Sequence, residues 1–208
     1  MVSRRTTTSY AILGLLGVRD WTSYELAKQV QRSLNWFWPR AERKLYDEPR
    51  RLVADGLATA RQEATGKRPR TVYAITDSGR EEMRRWLGEP PERRSVEFPA
   101  MLKVFFADAG STGQLSATLD TIADEASDRL AALADMAAAP PVFPRRAHLS
   151  ALGLRLQLEQ ELAVLRWARW ARTQVQEWIG PAEPGAWDHE AVLAGLAAEA
   201  RAAIRRSA

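Results

Sequence analysis

Trp36-Phe-Trp-Pro-Arg-Ala-Glu-Arg-Lys-Leu-Tyr-Asp-Glu-Pro-Arg-Arg-Leu-Val-Ala-Asp-Gly56 is the stretch that decides the fold. Pro39 suits the first turn of a helix, where its missing amide costs nothing. Asp55-Gly56 suits the end of one, where glycine supplies a left-handed cap. The spacing between them predicts a helix over 39–54. At 100° per residue, Ala41, Leu45, Pro49 and Leu52 share one side. Arg40, Arg43, Asp47 and Arg50 share the other, with Lys44 and Tyr46 on the flanks. A helix that anchors one apolar face and offers long polar donors on the other suits the major groove of DNA, where arginine bridges both acceptors of guanine. Taken alone, the same face is also an ordinary solvated one, so its neighbours must decide.

Working outward, residues 7–18 predict a first helix with Tyr10, Leu13, Leu16 and Gly17 on one face. Thr22-Ser-Tyr-Glu25 fits a capping box that opens a second helix, ending near Leu34. Downstream, Leu57 to Gln62 and Thr71 to Ile75 read as two strands, the second rich in β-branched residues. Glu63 to Arg70 between them contains Gly66 and Pro69 and reads as a long basic hairpin tip. Its Lys67, Arg68 and Arg70 suit phosphate or the minor groove. A flexible charged loop is the plain alternative. Thr76-Asp-Ser78 caps a fourth helix that runs through Leu87. Helix, helix, helix, hairpin, helix within 88 residues is the order of a winged helix-turn-helix. That order joins the reading face and the basic tip into one DNA-binding module.

Charge follows the same division. The 208 residues carry 30 Lys+Arg against 26 Asp+Glu, a net of +4. Residues 1–88 hold 17 basic and 10 acidic side chains, a net of +7, and residues 89–208 hold 13 and 16, a net of −3. The sign changes at Glu89-Pro-Pro-Glu-Arg-Arg94. A basic half joined to an acidic one points to a polyanion-binding domain, 1–88, followed by a domain of other purpose, 89–208. The apolar content of 46% excludes a disordered chain, and the absence of cysteine excludes disulfides, thiolate metal sites and cysteine nucleophiles. No apolar run reaches the ~18 residues of a spanning helix, and no secretory signal is read at the N-terminus. A cytoplasmic protein without membrane contact is therefore expected.

Catalytic signals are thin. His148 and His189 are the only histidines, and neither has a partner at ligand spacing. There is no HExxH, nucleophile elbow or phosphate-cradling glycine loop, so no enzyme, metal or organic cofactor is expected.

The second half reads as helices: a short piece over 102–109, a long one over 113–139, a longer one over 146–178 and a last Ala-rich one over about 188–206. Leu154, Leu158, Leu162 and Leu165 form one stripe on the longest helix, and Leu152, Leu156, Ala163, Trp167 and Trp170 lie toward a second apolar side. A helix apolar on two sides is buried between two surfaces, here its own neighbour and a second subunit. The Leu154 stripe is the expected dimer interface, with a larger monomeric bundle as the alternative. The eight tryptophans are many for this length. Trp36, Trp38, Trp86 and Trp167 are candidates to stack on a small hydrophobic or aromatic effector, or else to fill core.

These motifs together resemble the PadR family of transcriptional regulators. The carrying residues are Ser9-Tyr-Ala-Ile-Leu-Gly-Leu-Leu16, Ser23-Tyr-Glu-Leu-Ala-Lys28 and Phe37-Trp-Pro39, then Leu45-Tyr46, Arg51-Leu52 and Asp55-Gly-Leu57. Arg70-Thr-Val-Tyr-Ala-Ile-Thr76, Gly79-Arg80 and Trp86-Leu87 complete them. The likeness is specific over 7–88 and looser over 98–180. It implies a mainly α protein with a small β-hairpin wing: an N-terminal winged helix-turn-helix plus a C-terminal helical dimerisation domain. It further implies a homodimeric repressor on a palindromic operator in double-stranded DNA, often released by a small molecule. In that scheme the helix holding Tyr46 reads DNA and the hairpin is the wing. Asp47-Glu-Pro49 departs from the family pattern. Pro49 lacks the amide that would bond the Leu45 carbonyl, so a kink is expected there, with base contacts before it and Arg50 on phosphate. A winged-helix module for protein–protein contact, without operator reading, is the remaining alternative.

Overall fold

The computed structural model describes residues 5–36, 38, 42–65 and 68–207. They form two units that divide after Arg94. The first contains α1 (Thr7–Leu16), β1 (Trp21–Thr22), α2 (Ser23–Ser33), α3 (Glu42–Ala54), β2 (Ala58–Thr65), β3 (Arg68–Ile75) and α4 (Asp77–Leu87). The second contains α5 (Ala100–Phe105), α6 (Thr112–Ala138), α7 (Ala147–Gln176) and α8 (His189–Ser207). The architecture is mainly α with a small three-stranded sheet.

Local chemistry sets the helix ends. The Thr22 hydroxyl accepts the Glu25 amide at 3.2 Å, and the Glu25 carboxylate accepts the Thr22 amide at 2.8 Å. This is the capping box read in the sequence. Thr6 caps α1 and Thr76 caps α4 in the same way, each accepting the amide three residues on. At the end of α3, Leu57 N–H donates to the Leu52 carbonyl and Gly56 N–H to that of Val53. The backbone closes this way only because Gly56 adopts φ 72°. Gly79, in the first turn of α4, meets a different demand. A Cβ there would stand 2.2 Å from the Leu57 carbonyl oxygen, so the helix can approach the backbone between α3 and β2 only without a side chain.

The core of the first unit comes from the apolar faces of α1, α2 and α3. Ile12, Leu13, Leu16, Leu26, Val30, Leu45 and Leu52 are all essentially buried, each burial contributing roughly 1.5–3 kcal/mol. The sheet order is β1-β3-β2, antiparallel throughout. β1 has no counterpart in the sequence reading. Two residues carry no detectable alternation, and Trp21 and Thr22 become a strand only by pairing with Tyr73 and Val72. The hairpin also differs from expectation. Glu63 to Arg70 is not a long loop, because the ladder continues through Glu63↔Arg70 to Thr65↔Arg68. Arg68 and Arg70 are thus strand residues rather than tip residues.

In the second unit α6 packs along α7. Arg129 donates to Glu161 at 2.6 Å and Arg172 to Asp120 at 2.9 Å. These pairs fix an antiparallel register. It sets the buried row Leu115, Leu119, Ile122, Ala126 and Leu133 of α6 against Gln157, Glu161, Leu165, Ala168 and Val175 of α7. Leu165, expected at a subunit interface, is buried within the chain. Leu154, Leu158 and Leu162 are half-buried, whereas Leu149, Leu152 and Leu156 on the other apolar side are exposed. Gln157 is 2% exposed with neither amide atom hydrogen-bonded. Among the described residues no helix is long and apolar enough to cross a membrane, and no cluster of metal-ligating side chains forms.

Candidate nucleic-acid interface

α3 is held from behind. Leu45, Pro49 and Leu52 are buried on its inner side, facing α1 and α2. Glu48 shares that side at 6% exposure and accepts a hydrogen bond from Ser9 Oγ of α1 at 2.5 Å. Burying a carboxylate is costly unless it is hydrogen-bonded or paired, and Arg51 Nη1 at 3.8 Å adds a cation on its solvent side. The departure Glu48-Pro49 is thereby absorbed by the core. The helix runs unbroken from Glu42 to Ala54 with Pro49 inside it. Asp47, Arg50 and Arg51 are exposed, and Tyr46 is half-buried. Arg43, one turn before Asp47, shares that outer face by helical spacing. The side chains of Arg43, Lys44 and Arg68 lie outside the described residues, as do Arg40 and Lys67 altogether.

The wing bears a charge network that sequence reasoning missed. Arg70 donates to Glu63 across the ladder at 3.0 Å, Arg61 donates to Glu63 at 3.0 Å, and Arg61 also reaches Asp20 at 2.6 Å. The hydrogen bonds from Arg70 and then Arg61 hold the Glu63 carboxyl below its ordinary range. Two of the wing cations are therefore occupied by carboxylates of the same unit. The signal that finds them is the register. Glu63 and Arg70 are directly opposed, but only once the strands are known to reach that far.

A second network ties the unit's ends together. Glu82 accepts from Arg85 at 2.7 Å, from Tyr10 at 2.9 Å and from Arg5 at 3.3 Å. The bond from Arg85, opposed by partial burial and reinforced by Tyr10 and Arg5, holds its carboxyl at about 2. The Tyr10 ring stacks on Trp86, centroids 4.6 Å apart. This stack joins α1 to α4, so Trp86 has a structural partner inside the first unit.

The candidate effector tryptophans are divided between the units. Trp36, Trp38 and Trp86 belong to the first, and Trp167 to the second. Trp167 lines a half-open cavity of about 410 Å³ together with Trp170, Trp178 and Trp187, three residues outside the candidate set. Only part of their signal was legible: 167, 170 and 174 recur at three- and four-residue spacing on α7 and share one face, whereas Trp178 and Trp187 follow the end of that helix.

With this geometry in place, the likenesses are informative. Residues 12–85 match the model of the transcriptional regulator PadR-like family, and residues 99–176 match that of the virulence activator alpha C-terminal domain. The negative transcriptional regulator PadR of Bacillus subtilis (strain 168) is 32% identical over 129 residues, which are 61% of this chain and 69% of that protein. Among solved structures, Bacillus subtilis PadR in complex with operator DNA superposes with a TM-score of 0.71 at 25% identity, covering 82% of this chain and 99% of that one. The same regulator in complex with p-coumaric acid gives 0.67 at 26% identity, over 83% and 100%.

Proposed function

The chain belongs to the PadR-like family of transcriptional regulators, and from that premise we propose that it is a cytoplasmic, homodimeric repressor. It binds a palindromic operator through α3 and the β2–β3 wing, and a small aromatic molecule releases it. The observation that carries this reading is α3 itself. Its inner side is locked by Leu45, Glu48, Pro49 and Leu52, and its outer side carries exposed Arg50 and Arg51. A helix immobilised from behind presents its donors in one geometry, as base readout requires. Arg40, Arg43, Lys44 and Tyr46 supply the remaining contacts in this reading, and Lys67, Arg68 and Arg70 hold backbone phosphate.

For the dimer, the uncovered stripe Leu149, Leu152 and Leu156 supports an interface along that side of α7. Contiguous exposed leucines mark contact surfaces. The Leu154, Leu158 and Leu162 side is partly covered already and adjoins α6.

Fluorescence anisotropy with DNA from upstream of the chain's own coding region tests the reading. Arg43→Ala should weaken operator binding by ~1–3 kcal/mol and relax preference at one base pair of each half-site. Sedimentation should show a dimer that Leu152→Glu with Leu156→Glu dissociates. Unchanged affinity and preference in Arg43→Ala removes α3 as the reader. A wild-type monomer at micromolar concentration removes the dimer.

A further inference from the structure

Apolar packing holds α3 against its neighbours but does not fix its roll, because burial is non-directional. Leu45 and Leu52 are both essentially buried, and such contacts tolerate a small rotation of the helix about its own axis. Base readout does not. At a helix's outer radius of ~5–6 Å, a roll of about 10° carries a side-chain end roughly 1 Å, whereas a hydrogen bond tolerates only about 0.5 Å. Pro49 sharpens the problem. It leaves the Leu45 carbonyl without its helical amide, so α3 bends most easily just before the exposed pair Arg50-Arg51.

A directional contact stands at that point. Glu48, the residue before the proline, is 6% exposed, and its Oε1 accepts from Ser9 Oγ at 2.5 Å. Ser9 is itself fixed. Its amide donates to Thr6 Oγ1 and its Oγ accepts the Thr6 amide, each at 3.3 Å, which is the capping box that opens α1. The other Glu48 oxygen, Oε2, lies 3.8 Å from Arg51 Nη1, on a side chain that is 73% exposed. One carboxylate thus joins the first turn of α1 to a cation on the outer side of α3. A looser tie follows just past the helix, where Asp55 Oδ2 stands 3.8 Å from Arg5 Nη2. Positions 45, 48, 52 and 55 recur at three- and four-residue spacing, so the polar ties alternate with the two leucines along one side. Burial alone does not require a carboxylate at 48, since an apolar replacement for a buried, paired charge is often neutral or stabilising. What the carboxylate adds is direction.

On the reading given above, in which α3 meets the bases, we propose that Glu48 is a positioning residue for operator specificity. Through Ser9 it sets the roll of α3 and the aim of Arg50 and Arg51, without touching DNA itself. Random DNA is held through phosphate, which carries no sequence information. Base edges demand one geometry. Loss of the tie therefore lowers the ratio of operator affinity to random-DNA affinity rather than affinity in general. A merely structural role predicts otherwise, because a smaller competent fraction scales both affinities by the same factor and leaves their ratio unchanged.

The test uses the full-length protein, a duplex that the wild type selects from a random-sequence library, and a scrambled duplex of the same length and composition. Fluorescence anisotropy gives both affinities, and their ratio is the readout. Glu48→Leu should lower the ratio at least about fivefold, the discrimination carried by one good base contact. The Ser9 hydroxyl keeps Thr6 Oγ1 at 3.2 Å in that variant, so no buried donor is orphaned. Glu48→Gln loses the same charge but keeps an oxygen for Ser9, and it should restore most of the ratio. Ser9→Ala should lower the ratio independently, and adding it to Glu48→Leu should change little further, because both remove one bond. An unchanged ratio in Glu48→Leu and Ser9→Ala overturns the proposal, as does a fall in Glu48→Gln equal to that in Glu48→Leu, or full additivity in the double variant. A wild type that selects no sequence removes α3 as a reader and this proposal with it, whereas a selective wild type with an insensitive ratio removes the proposal alone.

Discussion

Replacing Glu82 by glutamine should destabilise the first unit in a way that depends on pH. The Glu82 side chain is 13% exposed and gathers Arg85, Tyr10 and Arg5 around one carboxylate. Its carboxyl is held at about 2, below the ordinary 4.5. A fall of that size corresponds to ~3 kcal/mol of preference for the charged form in the folded state. Arg85 is half exposed, so solvent screening reduces the expected effect to about 1–2 kcal/mol. The folded state holds its proton less tightly than the unfolded chain. The stabilisation is therefore complete above the unfolded value near 4.5 and is lost as pH falls toward about 2. Glutamine keeps an oxygen that can accept from the Tyr10 hydroxyl, so the substitution removes the charge with little loss of shape. Urea unfolding of full-length protein, followed by peptide-resolved hydrogen exchange so that α1 and α4 are read apart from the second unit, supplies the measurement. Glu82→Gln should be less stable by about 1–2 kcal/mol near pH 7, and the gap should shrink as pH falls below about 4.5 and close as it passes about 2. A gap that is the same at both pH values would show that glutamine merely packs poorly, and no gap near pH 7 would refute the reasoning outright.

Glu63→Gln should release Arg70 on the wing while Asp20 keeps Arg61, and the slope of log affinity against log salt for random DNA should steepen by about one; an unchanged slope would mean that the wing stays off the backbone. Gln157→Leu should raise the stability of the second unit by ~1–3 kcal/mol, because it removes two unsatisfied amide atoms from a buried position level with Leu133. A loss of stability on thermal unfolding would show that the amide has a partner in the assembled protein.

Helices and their ends were legible in the sequence because their signals act over three or four residues. The Thr22–Glu25 box, the Gly56 cap and the Thr76 cap all lie where local spacing puts them. The outward row on α3 was legible for the same reason, since Leu45 and Leu52 identify the inner face by periodicity alone. The second apolar side of α7 was legible as well, but which side α6 covers was not. That choice depends on the register fixed by Arg129–Glu161 and Arg172–Asp120, across about half the unit.

By itself, then, the sequence determined a three-helix module with a hairpin, its basic charge, the inner and outer faces of its third helix and an acidic helical half. Tertiary structure alone decided what those parts do to one another. It made a strand of Trp21–Thr22 by pairing it with Val72 and Tyr73. It carried the hairpin ladder through Glu63 and Arg70, turning an expected free cation into a paired one. It gave Glu48 the Ser9 hydroxyl, 39 residues away, which lets a carboxylate and a proline occupy the inner face of α3. It also closed four tryptophans around one cavity beside a lone aspartate. The physical reason is common to all four. Periodicity and capping are properties of a short segment, whereas the fate of a charge or a ring depends on which distant group packing brings within a few ångströms of it.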